Sequence, residues 1–268
     1  MIDRGKHNLL GVKVDAVDYT AAVAKIIAAA HTSQPLAVSA LAVHGVMSGV
    51  FDPAHRYRLN QFDLICPDGQ PVRWGLNLLH RVGLADRVYG PSLMLEICRA
   101  AAAEGLPIFL LGGYSELLTS LSARLTAQNP ALKIAGVRAS KFRPLSPDEW
   151  TELVEAIRAS GARILFVGLG CPRQEVFAFE ARHAVSMPTV AVGAAFSFHG
   201  GAIAQAPPLM QRWGLEWLFR LIQEPRRLWR RYLLLNPAYL ALLALQKLRL
   251  HHIKSHELEP PDTQLLYG

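Results

Sequence analysis

The chain has 268 residues, of which 51% are hydrophobic and 18% are charged. This balance is typical of a globular protein with a sizeable core and excludes a disordered chain. The formal net charge of +7 is concentrated, because residues 212–231 hold six arginines against two glutamates, a local balance of +4. Such a cluster indicates a localised anionic partner rather than a generally basic protein.

The cysteines and the apolar stretches indicate a cytoplasmic protein. The scattered cysteines are Cys66, Cys98 and Cys171. They form neither a disulfide framework nor a metal-binding spacing, and no apolar signal core follows the initial methionine. No stretch reaches the roughly 20 apolar residues that span a bilayer. The longest, YLLLNPAYLALLAL at 232–245, contains Asn236 and Pro237 and suits a helix that lies on a membrane or packs against a neighbour.

Short apolar runs alternate with amphipathic stretches along most of the chain. Strands are predicted at 9–14, 36–43, 62–66, 107–112, 132–137, 163–168 and 189–193. Helices are predicted at about 18–31, 70–80, 91–104, 115–128, 147–160 and 172–184. Ser146 before Pro147 is a typical capped helix start. The alternation predicts a Rossmann-like α/β fold, with a mostly parallel sheet and helices on both faces.

The alternation stops after Gly193, and from Ala206 onward the pattern is helical, arginine-rich and aromatic. Three parts are therefore predicted along the chain. Residues 1–205 form the Rossmann-like α/β domain, residues 206–252 form a helical C-terminal appendage, and residues 253–268 form a mobile tail.

The loop GLGCPRQE follows a predicted strand directly and precedes a predicted helix. Such a glycine-rich turn lets backbone N–H groups approach a phosphate at a helix N-terminus. Ligand contact is predicted for Gly168, Gly170, Pro172, Arg173, Gln174 and Glu175. The loop is not a dinucleotide fingerprint, since Arg173 stands where GxGxxG has its third glycine. A tight turn before an ordinary helix is the alternative interpretation.

Two further strand ends carry candidate ligand contacts. Gly112 and Gly113 lie between another strand and helix, where they either face the same cleft or serve a turn with unusual φ and ψ. Ser39 and His44 lie within and just after the strand at 36–43. A lone histidine is more often structural than functional, so both interpretations of His44 stay open.

The stretch CPDGQPVRW places Asp68 just past a strand and before a turn glycine. Reactive groups converge at strand ends on such a sheet, so Asp68 is the candidate general base. The alternative is that Asp68 caps the following turn or helix. No two aspartates are two residues apart, so the Asp-x-Asp spacing with which many transferases hold a divalent metal is absent, and no metal is expected. No other cofactor is expected either.

The segment EWLFRLIQEPRRLWRRY at 216–232 combines five arginines with aromatic residues. Pro225 starts a second helix, on which Arg227 and Arg230 share a face, and Arg220 precedes it. Guanidinium groups suit phosphate, whereas the aromatic residues suit a core or a membrane interface. No nucleic-acid-binding pattern accompanies the segment, so nucleic acid is not expected as a partner.

Taken in order, these segments resemble the WecG/TagA/CpsF glycosyltransferases, also called glycosyltransferase family 26. The matching pieces are PDGQPVRW, RVYGPSLM, FLLGG, VGLGCPRQE, VGAAFSFHGGAIAQAP and EWLFRLIQEPRRLWRRY, within roughly residues 8–245. The resemblance implies inverting, metal-independent transfer of an N-acetylmannosamine-type or glucose-type sugar from a UDP-sugar. The acceptor would be a polyprenyl-diphosphate-linked sugar in cell-surface or extracellular polysaccharide synthesis.

The resemblance also implies a place and a set of roles. The appendage would lie on the inner face of the cytoplasmic membrane, and a homo-oligomer is compatible with the pattern. Asp68 would be the base, and the UDP leaving group would be stabilised by Arg220, Arg227 and Arg230. The family commonly has Thr-x-Asn after the second strand, but here Ala42 stands at the asparagine position, and Ser39 or His44 substitutes only in part.

Two other functions stay open at this point. The first is a non-catalytic membrane-binding module that uses the arginine and aromatic residues of the appendage. The second is an NAD-dependent oxidoreductase, which the missing third glycine disfavours.

Overall fold

The computed structural model describes residues 1–250, 253 and 259–268, and eight strands lie within them. The strands are β1 (Asp3–Leu9), β2 (Val12–Val17), β3 (Leu36–Leu41), β4 (Leu64–Pro67), β5 (Ile108–Gly112), β6 (Ile134–Arg138), β7 (Ile164–Gly168) and β8 (Pro188–Ala191). β1 and β2 form an antiparallel hairpin, and the other six form one parallel sheet in the order β4-β3-β8-β7-β5-β6.

Helices cover both faces of the sheet and form the C-terminal part of the chain. The helices before residue 200 are α1 (Tyr19–Thr32), α2 (Val43–Phe51), α3 (Pro53–Asn60), α4 (Gln70–His80), α5 (Gly90–Ala103), α6 (Ser115–Gln128), α7 (Pro147–Ala159), α8 (Arg173–Val185) and α9 (Ala195–His199). The helices after it are α10 (Pro208–Arg212), α11 (Glu216–Gln223), α12 (Pro225–Leu233) and α13 (Leu235–Lys247). The predicted Rossmann-like α/β fold is confirmed.

Six of the seven predicted strands and all six predicted helices are confirmed, with bounds that differ by at most two residues. The strand predicted at 9–14 is wrong, because the chain turns there between β1 and β2. Leu10 and Gly11 both have positive φ, 54° and 85°, as a two-residue hairpin turn requires. The Ser146 cap is confirmed as a capping box with Glu149.

The parallel order places several strand ends at one edge of the sheet. β3 lies beside both β4 and β8, and β7 lies between β8 and β5. The residues after β4, β5 and β7 therefore emerge at the same carboxyl edge, where open α/β sheets bind ligands. Asp68, Gly113 and the loop that follows Gly168 are brought to this edge by topology alone.

Helix α13 fixes the appendage to the α/β domain by packing on α2 and α4. Tyr239 is fully buried there, and its hydroxyl group donates to the Pro71 carbonyl oxygen at 2.9 Å. A Cβ atom on Gly75 of α4 would lie 2.5 Å from that hydroxyl oxygen, so only glycine leaves room for the tyrosine. Within the described part of the chain, no helix has both the length and the apolarity to cross a bilayer.

The final residues, 259–268, return to the α/β domain. The Leu145 backbone N–H donates to the Leu266 carbonyl oxygen at 2.8 Å, and that of Lys141 donates to the Gly268 carbonyl oxygen at 3.1 Å. Arg58 donates to the Thr263 carbonyl oxygen at 3.1 Å. Residues 251–252 and 254–258 lie outside the described residues, and the mobility predicted for 253–268 stays a prediction.

Candidate active site

Asp68 lies directly after β4 at the carboxyl edge of the sheet. Its backbone N–H donates to the Leu41 carbonyl oxygen at 3.2 Å, which ties it to the end of β3. Helix α4 begins beyond it with Gly69 at the N-cap position. Among the described residues, no backbone N–H group of α4 donates to the Asp68 carboxylate. The Asp68 side chain therefore does not cap this helix.

A network of buried polar side chains lies beside Asp68. Arg87 Nη2 donates to Glu216 Oε2 at 2.7 Å, and the Tyr89 hydroxyl group donates to Glu216 Oε1 at 2.8 Å. The Arg87 guanidinium carbon also lies 4.2 Å from the centre of the Tyr89 ring. Since Glu216 belongs to α11, these contacts connect the appendage to the α/β domain next to the candidate base.

The surroundings of Asp68 raise the pKa of its carboxyl group to near neutral pH. Burial raises the pKa of Asp68 to about 7, with Glu216 adding to the rise and Arg87, Arg220 and Arg231 opposing it. A general base works best when its pKa lies near the operating pH. The Asp68 carboxyl group therefore has the acidity that proton abstraction at neutral pH requires.

Arg87 and Tyr89 both keep their protons. Burial alone would lower the pKa of Arg87, but the carboxylates of Asp68 and Glu216 outweigh it and raise that pKa. Burial raises the pKa of Tyr89, and the negative charge of Glu216 raises it further. Near neutral pH the site thus contains a permanent guanidinium cation and a neutral phenol beside the Asp68 carboxyl group.

The two glycine turns meet at the adjacent ends of β5 and β7. A Cβ atom on Gly112 would lie 2.5 Å from the Gly168 carbonyl carbon, so the two strand ends approach too closely for a side chain. Gly170 has φ of 78°, and a Cβ atom added to it would have no neighbouring atom within 4 Å. The predicted loop therefore presents bare backbone to the sheet edge, as an approaching phosphate group requires.

Three predicted contact residues lie beneath the loop instead of on its surface. Glu175 is fully buried, and its Oε1 accepts hydrogen bonds from Ser39 Oγ at 3.1 Å and from Gln174 Nε2 at 2.8 Å. Gln174 Oε1 in turn accepts from the Gly193 backbone N–H at 3.2 Å. These contacts tie the start of α8 to β3 and to the end of β8.

Pro172 and Arg173 of the loop are exposed, and His44 of α2 is half-buried. His44, in the first turn of α2, lines a cavity of about 350 Å³ together with Pro172. Burial, followed by the charge of Arg231, lowers the pKa of His44 to about 4, so its ring is neutral at neutral pH. Arg173 is exposed, and its guanidinium carbon lies 5.7 Å from the Tyr267 ring centre.

The three arginines predicted at the leaving group occupy different environments. Arg220 is half-buried, and its guanidinium carbon lies 5.5 Å from the Phe198 ring centre. Arg227 is exposed and pairs with Glu224 at 2.5 Å, and exposed Arg230 lies beside the Trp229 ring. The charge of Arg220 acts to lower the pKa of Asp68.

Four residues beside Asp68 were not among the sequence candidates: Arg87, Tyr89, Glu216 and Arg231. A signal for the first two exists, since RVYG immediately precedes α5 and lies in one of the matching pieces. Within the described ranges, no group of three or more His, Cys, Asp or Glu side chains is arranged to hold a metal ion.

The parallel sheet, the carboxyl group with a near-neutral pKa at its carboxyl edge and the adjoining glycine-rich loop define an enzyme of the Rossmann-like class. Residues 7–253 match the model of the Glycosyl transferase WecG/TagA/CpsF family, and the chain belongs to this family. The protein is therefore a glycosyltransferase of cell-surface polysaccharide synthesis. The resemblance read from the sequence motifs is confirmed.

Proposed function

We propose that the protein transfers a sugar from a UDP-sugar to a polyprenyl-diphosphate-linked sugar, with inversion at the anomeric carbon and without a metal ion. The observation that carries this proposal is the Asp68 carboxyl group at the sheet edge, with a pKa of about 7 and arginine side chains around it. Family membership supports sugar transfer in general, and favours it over the oxidoreductase and the non-catalytic module.

Asp68 acts as the general base in this reaction. The acceptor hydroxyl group gives its proton to the Asp68 carboxylate while its oxygen forms a bond to the anomeric carbon. The bond between that carbon and the UDP oxygen breaks in the same step, and UDP leaves with both electrons of the bond. A single displacement of this kind inverts the configuration of the anomeric carbon.

Positive charge stabilises the departing diphosphate. Fixed guanidinium groups at the place where negative charge develops lower the barrier without reorganising in the transition state. Arg220, Arg227 and Arg230 carry this role in the sequence prediction, and the charge of Arg220 acts on Asp68. The base comes from the α/β domain and these arginines come from the appendage, so the two regions together supply the groups that the reaction requires.

The appendage also provides a surface for the lipid-linked acceptor. Large apolar side chains are exposed along it: Trp213, Leu218, Ile222, Trp229, Leu233, Leu234 and Leu240. Apolar and aromatic side chains beside arginines suit an interface with anionic lipid. We propose that this surface binds the inner face of the cytoplasmic membrane.

The test is a transfer assay in EDTA with UDP-N-acetylmannosamine or UDP-glucose and a short-chain polyprenyl-diphosphate-linked sugar. We expect one of the two donors to release UDP and give an inverted glycosidic bond, at a rate that EDTA leaves unchanged. Loss of transfer in EDTA would contradict metal independence, and absence of UDP-sugar binding would contradict the donor. Binding to anionic liposomes without transfer from any donor would favour the membrane-binding module.

A further inference from the structure

Helix α12 contains four arginines in nine residues, and its packing separates them. Leu228 is only 2% exposed and marks the face that packs inward. With 3.6 residues per turn, Arg231 lies about 60° from Leu228 around the helix axis, whereas Arg230 lies about 160° away. Helical geometry therefore directs Arg231 inward and Arg230 outward.

Burial of the four side chains follows this geometry. Arg226, Arg227 and Arg230 are exposed, and Arg231 is half-buried. The Nε atom of Arg231 is fully buried and has no hydrogen-bond partner among the described residues. Arg220 of α11 shows the same combination of partial burial and a buried, unpartnered Nε atom.

The charge of Arg231 acts on several groups at the carboxyl edge of the sheet. Its charge acts on Asp68, as does that of Arg220. It also acts on Cys171 of the glycine-rich loop and on His44 at the start of α2. Arg231 is thus the α12 arginine that interacts with both the candidate base and the loop.

Arg220 and Arg231 differ from the other arginines of the described residues that have a buried guanidinium atom. Arg56 and Arg73 also have an unpartnered Nε atom and no carboxylate, but their Nη1 atoms donate to backbone carbonyl oxygens, whereas Arg220 and Arg231 donate no hydrogen bond within the described part of the chain. Buried Arg58 pairs with Glu180 at 3.5 Å, and buried Arg87 pairs with Glu216 at 2.7 Å. In the described part of the chain neither Arg220 nor Arg231 forms an ion pair. Burial lowers the pKa of Arg231, and the positive charge of Arg220 lowers it further. Removing a cation from water without a partner is costly, so this pair is suited to an anion that carries several charges.

We propose that Arg231 binds the diphosphate of the donor jointly with Arg220 and stabilises it as the leaving group. This inference rests on the proposed function and places the α12 contribution at Arg231 instead of at the outward residues Arg227 and Arg230. Two guanidinium groups present enough donors to contact both phosphates of a diphosphate.

Calorimetric titration of UDP and of uridine separates the diphosphate from the base and ribose. Loss of a charge-assisted hydrogen bond costs about 1.5–3 kcal/mol, so we expect Arg231→Ala to weaken UDP binding about 10- to 100-fold. Uridine affinity stays unchanged, and Arg231→Lys retains part of the UDP affinity. Arg226→Ala, which removes the same charge from the exposed part of the helix, changes UDP affinity less than about threefold.

The pH dependence of kcat/KM provides a second readout that a merely structural role would not change. Arg231 opposes the rise in the pKa of Asp68, so its removal is expected to move the acid limb to higher pH. Arg226→Ala leaves the limb in place. Circular dichroism and thermal unfolding establish that each variant is folded.

The outcomes separate this inference from the donor proposal. Unchanged UDP affinity in folded Arg231→Ala, with weakened affinity in Arg230→Ala, would overturn the inference and leave the UDP donor intact. If the wild-type protein binds no UDP, the donor proposal is wrong, and the same variants are titrated with inorganic pyrophosphate. An unchanged pyrophosphate affinity in Arg231→Ala would then overturn the inference as well.

Discussion

The α/β domain and the appendage differ in whether their buried or half-buried arginines have a carboxylate partner. In the α/β domain, Arg58 has its carboxylate partner from the same domain. In the appendage, Arg220 and Arg231 have none among the described residues, and the appendage carboxylate Glu216 pairs with Arg87 of the α/β domain. The α/β domain pairs Arg58 within itself but depends on the appendage for the partner of Arg87, whereas the appendage has two half-buried arginines without a carboxylate partner in the described part of the chain.

The helix surfaces also differ between the two regions. Asp18, Asp52 and Ser146 cap α1, α3 and α7 with side-chain hydrogen bonds, whereas, within the described residues, neither the other six helices of the α/β domain nor α10 to α13 have such caps. Large apolar side chains are exposed along α10 to α13. Since burial of an apolar face stabilises a helix, the appendage depends more on what it contacts than the α/β domain does.

The largest expected effect is on the base that the α/β domain supplies. Asp68→Asn removes the proton acceptor without changing the shape of the side chain, and we expect kcat to fall about 10²- to 10⁴-fold. Donor affinity measured by calorimetry stays within a few-fold, because the amide occupies the same space. Asp148→Asn, at an exposed position in the first turn of α7, is the matched control and keeps wild-type turnover. Near wild-type kcat in Asp68→Asn would exclude Asp68 as the base.

The pH profile of the wild-type enzyme tests the same residue. Asp68 accepts a proton only when it is ionised, and its pKa is raised to about 7 in the folded state. We therefore expect kcat/KM to fall as the pH drops below about 7, by up to tenfold per pH unit. Because the folded-state pKa is raised from its ordinary value of about 4, Asp68 lowers the free energy of unfolding as the pH rises from about 4 to about 7 and has no further effect above that range. An acid limb near pH 4, the ordinary range of aspartate, would contradict the buried environment.

The next prediction concerns the ion pair between Arg87 of the α/β domain and Glu216 of the appendage. Glu216→Ala leaves Arg87 buried without its partner, and we expect the free energy of unfolding to fall by about 3–5 kcal/mol. Glu216→Gln keeps the shape but removes a charge that raises the pKa of Asp68, so the acid limb moves to lower pH. The control for stability is Glu224→Ala, because its partner Arg227 is 61% exposed, and we expect an effect below about 1 kcal/mol. Equal losses in Glu216→Ala and Glu224→Ala would argue against a special role for the buried pair.

Much of the α/β domain was predictable because its signals are local. The apolar runs of β5 and β7 end in glycine, and their helices begin within a few residues, so both bounds and the two glycine turns follow from the sequence. The strand predicted at 9–14 failed because Leu10 adopts the left-handed conformation in a hairpin turn, where leucine is an uncommon residue. Helices α2 and α3 were not predicted, since one is apolar almost throughout and the other is largely polar, so neither shows a clear helical periodicity.

The site residues that could be predicted from the sequence are those that directly follow a strand. Asp68 and the loop at Gly168 follow strands, so topology alone brings them to one edge. The contact of Arg87 with Glu216 joins residues 129 positions apart, and no local pattern encodes that pairing. Likewise, the spacing of the α12 arginines defines faces, but only the burial of Leu228 identifies the inward face.

A smaller effect tests the close approach of the glycine turns. A Cβ atom on Gly112 would lie 2.5 Å from the Gly168 carbonyl carbon, and φ is 128°. We expect Gly112→Ala to cost about 1–3 kcal/mol in unfolding free energy and to lower donor affinity as the loop shifts. The control is Gly105→Ala, which also has positive φ but has no atom within 4 Å of the added Cβ. If the two variants lose the same stability, glycine is required at position 112 because of its backbone conformation and not because of the contact with Gly168.

The smallest expected effect concerns the docking of the appendage through α13. Tyr239→Phe removes the hydrogen bond to the Pro71 carbonyl oxygen but keeps the ring in its buried place. We expect a loss of about 0.5–1.5 kcal/mol, measured by chemical unfolding, with kcat within twofold of the wild type. Tyr114→Phe, at an exposed tyrosine, changes stability by less than about 0.5 kcal/mol. A fall in kcat larger than the fall in stability would mean that the position of α13 is transmitted to the arginines of α11 and α12. In that case helices α11 to α13 act in catalysis as one unit, because a change in the packing of α13 would alter the position of the arginines on the other two helices.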